Sequence, residues 1–163
     1  MSEIAEEGKR YLKSRGVPQW QRGTYPDRAL FESDVREGIG FVVAEGASVL
    51  AVCALTFAEE PAYRPEALTA GQWQLPEGKP YASVHRVAVA ESARGRHVSS
   101  FLFSAAAALA KERGACALRA DTHPENLVMQ GALTRAGFVR CCELILPDGD
   151  EQGDPRYGYE LLL

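Results

Sequence analysis

Residues 82–136 read as strand, helix, strand, helix with short connections, and this block limits the fold more than any other part of the chain. Residues 82–90 and the stretch ACALRA carry the apolar residues of strands. Residues 98–113 carry a helical stripe of Val98, Phe101, Leu102, Ala105 and Leu109, expected to face the core. Lys111 and Arg113 suit the negative end of that helix, and Gly114 follows as its stop. Thr122 with Glu125 reads as a capping box opening a helix to about residue 136, ended by Gly137. Strands and helices in this alternation bury their apolar faces by laying helices on a sheet.

The flanks extend the pattern. Residues 2–15 form a helix with Ile4, Tyr11 and Leu12 on one face, and Asp27 can cap a second over residues 28–37. IGFVVA and SVLAVCALTF are strands of a hairpin turning at Glu45 and Gly46. FVRCCELIL and YGYELLL are the last two strands, so the order is ααββ, βαβα, ββ. Residues 58–80 show no period and carry four prolines, at 61, 65, 76 and 80, beside Tyr63 and Trp73. They read either as a lid or specificity loop, or as an excursion whose aromatics pack down.

With 163 residues the chain fits one domain, residues 1–163. A net charge of -4 argues against nucleic acid as a partner, which would demand a basic face. No apolar run is long enough for a membrane span, and residues 1–10 are too polar for a signal peptide, so the expected compartment is the cytoplasm. Cys53, Cys116, Cys141 and Cys142 show no CxxC and no Cys/His ligand spacing; they read as reduced thiols, with no metal site.

The junction between residues 86 and 103 holds more charge than a turn needs. A helix N-terminus carries unpaired N–H groups and partial positive charge, each anion contact contributing about 0.3–1 kcal/mol when exposed. Arg94, Arg96, Ser99 and Ser100 around it would concentrate a phosphate cradle; the plain alternative is a surface turn with solvated arginines. Neither GxxxxGK[ST] nor GxGxxG is present, which excludes the two commonest phosphate loops.

VAVAESARGRHVSS resembles the acyl-CoA signature of the GNAT superfamily of N-acyltransferases, with Val89 ending the strand and Arg94 five residues on. His97 and Ser99 stand where glycine, or glycine and alanine, are usual. A left-handed backbone at His97 would cost about 1–2 kcal/mol, whereas an ordinary helical one would only crowd the loop slightly. RADTHPENLVMQGALTRAGF resembles the superfamily's later strand and helix, and VPQWQRGTYP and YASVHRVAV resemble one bacterial branch, so the likeness spans most of residues 2–163. The resemblance implies an α+β fold: a mixed, mostly antiparallel sheet flanked by helices, whose fourth and fifth strands splay apart. The strand that usually precedes the first helix is expected to be absent, because Met1 falls at that helix. Acetyl-CoA is the implied co-substrate. Its pantetheine would bond the backbone of Val87, Ala88 and Val89, and its diphosphate would sit on Gly95, Arg96, His97, Val98 and Ser99. Asn126 would touch it from the other side.

An attacking amine must first lose a proton, and histidine is the side chain suited to take it near neutral pH. His85 is the expected base, placed by strict alternation on one face with Ser83, Val87 and Val89. Its alternative is a core histidine. His123 is the rival base, and His97 is expected to meet phosphate. The superfamily's usual tyrosine acid maps onto Leu133, leaving Tyr25, Tyr81 or a water to protonate the leaving thiolate. Trp20, Gln21, Tyr25, Trp73 and Tyr81 are the candidate acceptor contacts, the tryptophans having packed aromatics as their alternative. The expectation is an N-acetyltransferase acting by direct attack of a small-molecule amine. The alternatives are a protein N-terminus or lysine as acceptor, or an acyl-CoA-binding module without turnover. A homodimer is compatible with each.

Overall fold

Helix α1 (Ser2–Ser14) buries Ile4, Ala5 and Leu12 at helical spacing in the computed structural model, which describes residues 1–163. It is the first element of the described residues. Asp27 caps α2 (Arg28–Arg36), its Oδ1 accepting from the Leu30 N–H at 2.8 Å. Strands β1 (Gly40–Glu45) and β2 (Ser48–Thr56) form the expected hairpin.

Residues 58–80 form a largely exposed excursion whose aromatics Tyr63 and Trp73 pack down. They contain single 3-10 turns at Pro61–Tyr63 and Pro65–Ala67 and the short strand β3 (Leu68–Gly71), which pairs antiparallel with β6 at one edge of the sheet. Tyr63 and Trp73 lie in a second, smaller core with Ala62, Cys142 and Leu144. Trp73 Nε1 donates to the Tyr63 carbonyl at 2.8 Å, and the amides of Gln74 and Leu75 donate to Glu160 Oε2 at 2.6 and 2.9 Å. A four-residue strand is too short to print a period on the sequence.

Strands β4 (Tyr81–Val89), β5 (Ala117–Thr122), β6 (Val139–Ile145) and β7 (Pro155–Leu162) complete a seven-stranded sheet of order β1-β2-β4-β5-β7-β6-β3. Helix α3 (Val98–Glu112) carries the chain from β4 to β5, the sheet's single parallel pair; α4 (Leu127–Arg135) carries it from β5 to β6. β4 and β5 pair only from Tyr81 to Ser83 against Ala117 to Arg119, and past these three residues they part. The mixed sheet with splayed fourth and fifth strands is therefore as the resemblance implied. No helix is long and apolar enough to cross a membrane.

Two helix readings need correction. α3 buries Val98, Leu102, Phe103, Ala106 and Ala110, whereas Phe101 and Ala105 are exposed and Leu109 is half-buried. Every fourth residue from Val98 faces the sheet, so the stripe runs one row over from the expected one. Thr122 caps nothing: it ends β5, and its Oγ1 donates to Gln19 Oε1 at 3.2 Å. Asn126 caps α4 instead, its Oδ1 accepting from the Met129 N–H at 3.1 Å. The main core is one cluster of 28 buried residues running from α1 through the sheet to α3 and α4. Burial pushes the thiols of Cys53 and Cys142 up to about 12, and no cysteine is paired.

Candidate active site

The parting of β4 and β5 opens a cavity of about 490 Å³. One wall is the β4 edge from Val84 to Val89, which has no partner strand on that side. Met129, Ala132 and Leu133 of α4 also line the cavity. Leu133 is fully buried there, so no hydroxyl stands at the position where the resemblance implied a tyrosine acid.

A bulge sets the course of β4. Ala54 lies opposite His85 and Val52 opposite Ala88, so Arg86 and Val87 together face Cys53 alone. Arg86 accordingly has a left-handed backbone, φ 54°. Ala54 and Val52 share one face of β2, which places His85 and Ala88 on one face of β4 and Val84 and Val89 on the other. The alternation expected to align His85 with Val87 and Val89 is thus broken, because the extra residue reverses the parity.

At one end of the cavity stands the start of α3. His97 takes the left-handed conformation, φ 59°, rather than an ordinary helical one, and Gly95 does the same at φ 78°. The amides of Gly95, His97, Val98 and Ser99 have no acceptor in the protein, while those of Arg94, Arg96 and Ser100 are tied to carbonyls of Glu91, Ala93 and His97. Arg94, Gly95, His97, Val98 and Ser99 all line the cavity. The Arg94 guanidinium lies 4.4 Å from the Tyr11 ring centroid and donates to the Glu7 carbonyl at 3.4 Å, so α1 holds it at the mouth. Arg96 departs from expectation: it turns to Glu45 of β1, 3.1 Å away, and neither it nor Ser100 lines the cavity. This exposed pair adds little stability.

The other end gathers Trp20, Tyr25, His85, Arg86, Asp121 and the β6–β7 loop. His85 Nε2 has no hydrogen-bond partner and lies 3.5 Å from Glu60 Oε2, with the Tyr63 ring stacked at 6.2 Å. Burial lowers its pKa, Asp121 opposing, so the imidazole is neutral at pH 7. Burial raises the Tyr25 hydroxyl, with the adjacent Arg86 guanidinium acting the other way.

Four expected contacts lie elsewhere. His123 is outside the cavity lining; its Nδ1 accepts from the Glu125 N–H at 3.1 Å, which fixes the entry to α4. Gln21 is exposed and bonds the carbonyls of Lys9 and Gln19. Trp73 and Tyr81 sandwich the Arg119 guanidinium, 4.3 and 4.0 Å from their ring centroids, and Tyr81 also accepts the Glu60 N–H. Both aromatics therefore serve the smaller core and its rim.

Some residues of the site carry no local motif. Gln19 Oε1 accepts from Thr122 Oγ1, the His123 N–H and Asn126 Nδ2, joining the loop after α1 to the head of α4. Asn126 lines the cavity with both side-chain ends engaged, as helix cap and as donor to Gln19. Glu151 accepts the Trp20 N–H, Asp150 accepts those of Thr24 and Tyr25, and Asp154 pairs with Arg22, so the β6–β7 loop clasps residues 20–25. Buried Arg156 links Glu151 and Asp121 at 2.8 and 3.3 Å.

A parallel pair parting over unpaired helix amides, within an otherwise antiparallel sheet, is the arrangement that the resemblance implied for a coenzyme-A-dependent acyltransferase. The chain belongs to the acetyltransferase (GNAT) family, whose model matches residues 4–138. Among solved structures it is similar to a GNAT-family acetyltransferase from Streptococcus agalactiae, with TM-score 0.83 and 25% identity over 98% of this chain and 86% of that one. A GNAT-family acetyltransferase from Listeria monocytogenes shares the fold at TM-score 0.69 and 18% identity, over 99% of this chain and 86% of that one. So does a Bacillus subtilis acetyltransferase solved in complex with CoA, at TM-score 0.60 and 15% identity over 85% and 86%. A search of the curated proteins finds no match.

Proposed function

We propose that the protein transfers the acetyl group of acetyl-CoA to the primary amine of a small-molecule or amino-acid-like acceptor by direct attack. The observation that carries this reading is the set of four free amides, at Gly95, His97, Val98 and Ser99, lining one end of the gap between β4 and β5. Together with Arg94 they suit a diphosphate, and the unpaired β4 edge suits an extended pantetheine amide chain. Bound acetyl-CoA supplies the activated acyl carbon, whose bond to sulfur breaks as the bond to the amine nitrogen forms. His85 takes a proton from the acceptor's ammonium, which frees the amine lone pair for attack, and Glu60 Oε2, 3.5 Å from Nε2, stabilises the imidazolium produced. Tyr25 replaces the missing acid at Leu133: its hydroxyl, kept protonated by burial, gives the proton to the departing sulfur. Tyr81 is not suited to this, since its hydroxyl accepts the Glu60 N–H away from the cavity. The β6–β7 loop is tied to residues 20–25 beside the acceptor end, and an acceptor end fixed by two joined loops supports a small acceptor over a folded protein surface.

The test is release of free CoA thiol from acetyl-CoA across a panel of small amines, amino acids and peptides. The reading expects turnover with a small primary amine. Turnover confined to peptides would move the acceptor to a protein terminus or lysine. CoA binding without thiol release would make the protein a binding module, the reading that Leu133 by itself favours.

A further inference from the structure

Two costly features meet at Arg86. Its backbone is left-handed at φ 54°, where any residue with a Cβ is strained, and its side chain is buried in an ion pair. Nε and Nη2 donate to the two carboxylate oxygens of Asp34 on α2 at 2.9 and 2.7 Å. The side chains are 11% and 3% exposed. A buried pair of this kind is often no better for stability than well-packed apolar residues, so stability alone does not account for it. Asp34 lies outside the cavity lining, whereas Arg86 and Tyr25 both lie within it, where the guanidinium charge reaches the Tyr25 hydroxyl. The backbone end of Tyr25 is fixed separately, its N–H donating to Asp150 Oδ2 at 3.0 Å. Asp121 and Glu151 are the other charged groups that face Tyr25.

We propose that Asp34 and Arg86 are positioning residues for acetyl transfer: Asp34 orients the Arg86 guanidinium on the β4 bulge, and Arg86 holds the Tyr25 hydroxyl at the acyl-transfer end of the cavity. This rests on the reading of Tyr25 as proton donor. Asp34 acts on the reaction without touching it, by fixing a planar fork whose positive charge lies in the same cavity as the phenol. A pair serving only to pin α2 to β4 would affect folding and leave the proton transfer alone.

A double-mutant cycle separates the two. Asp34→Asn is expected to lower kcat about 10–100-fold with the KM for acetyl-CoA unchanged. Tyr25→Phe is expected to lower kcat about 100-fold or more. The two together are expected to be within about twofold of Tyr25→Phe alone, because Asp34 acts through that hydroxyl. Multiplying losses in the double variant, or a loss confined to KM, would overturn the positioning role while leaving Tyr25 as donor. An unchanged kcat in Tyr25→Phe would overturn the donor reading itself, a distinct result. If Asp34→Asn does not fold, Asp34→Glu keeps the charge on a longer arm and enters the same cycle: an intermediate kcat loss that Tyr25→Phe abolishes supports the proposal, and full kcat or a loss that persists overturns it.

Discussion

His97 shows most directly what a single residue costs and does. It is a non-glycine residue at φ 59° whose amide is one of the four left free at the head of α3. His97→Gly removes a left-handed strain of about 1–2 kcal/mol, part of which returns as extra freedom in the unfolded chain. The variant is expected to be more stable by about 1 kcal/mol in urea unfolding, with CoA binding retained. His85 works through its proton. Its pKa in the folded protein lies below the ordinary 6.5, so the neutral base persists as pH falls below that value. The acid limb of kcat/KM is therefore expected below pH 6.5, and His85→Ala is expected to lower kcat by about 10²–10⁴-fold. The same shift carries a stability sign: the folded state binds fewer protons, so stability held above pH 6.5 is lost as pH falls toward the folded pKa. An acid limb at or above pH 6.5 would remove the neutral imidazole from the account.

At the scale of elements, what the sequence could tell depended on whether its signal was local. The strand ending at Val89, Arg94 and the opening of α3 lie within a dozen residues, and their relation survives in the folded chain. The bulge at Arg86 was not legible, because it is defined by a shortage on β2, where Cys53 alone faces two residues. The capping box at Thr122 failed for a similar reason: Gln19, 103 residues away, takes that hydroxyl. Asn126 then becomes the cap, and Asn126→Ala is expected to cost about 1 kcal/mol in thermal or urea unfolding. A loss of a few tenths or less would mean that Gln19 and His123 hold the head of α4 without it. Trp73 and Tyr81 mark another limit, since an aromatic around a buried arginine and an aromatic in a substrate pocket read alike in one dimension.

For the molecule as a whole, the sheet brings together segments far apart in sequence. The β6–β7 loop reaches residues 20–25 across more than a hundred positions, and no pattern in either segment announces the clasp. The fold followed from the order of elements and the acyl-CoA signature; the acceptor end followed from neither, because its residues meet only when the sheet is complete. The central claim is that the parted strands and the free amides of α3 hold the diphosphate of CoA. Calorimetric titration with CoA and with pantetheine, which lacks that diphosphate, tests it most directly. Two or more charge-assisted hydrogen bonds should make CoA bind at least about 100-fold more tightly, and Arg94→Ala should weaken CoA while leaving pantetheine unchanged. Equal affinity for the two ligands, or no binding of CoA, would contradict the claim.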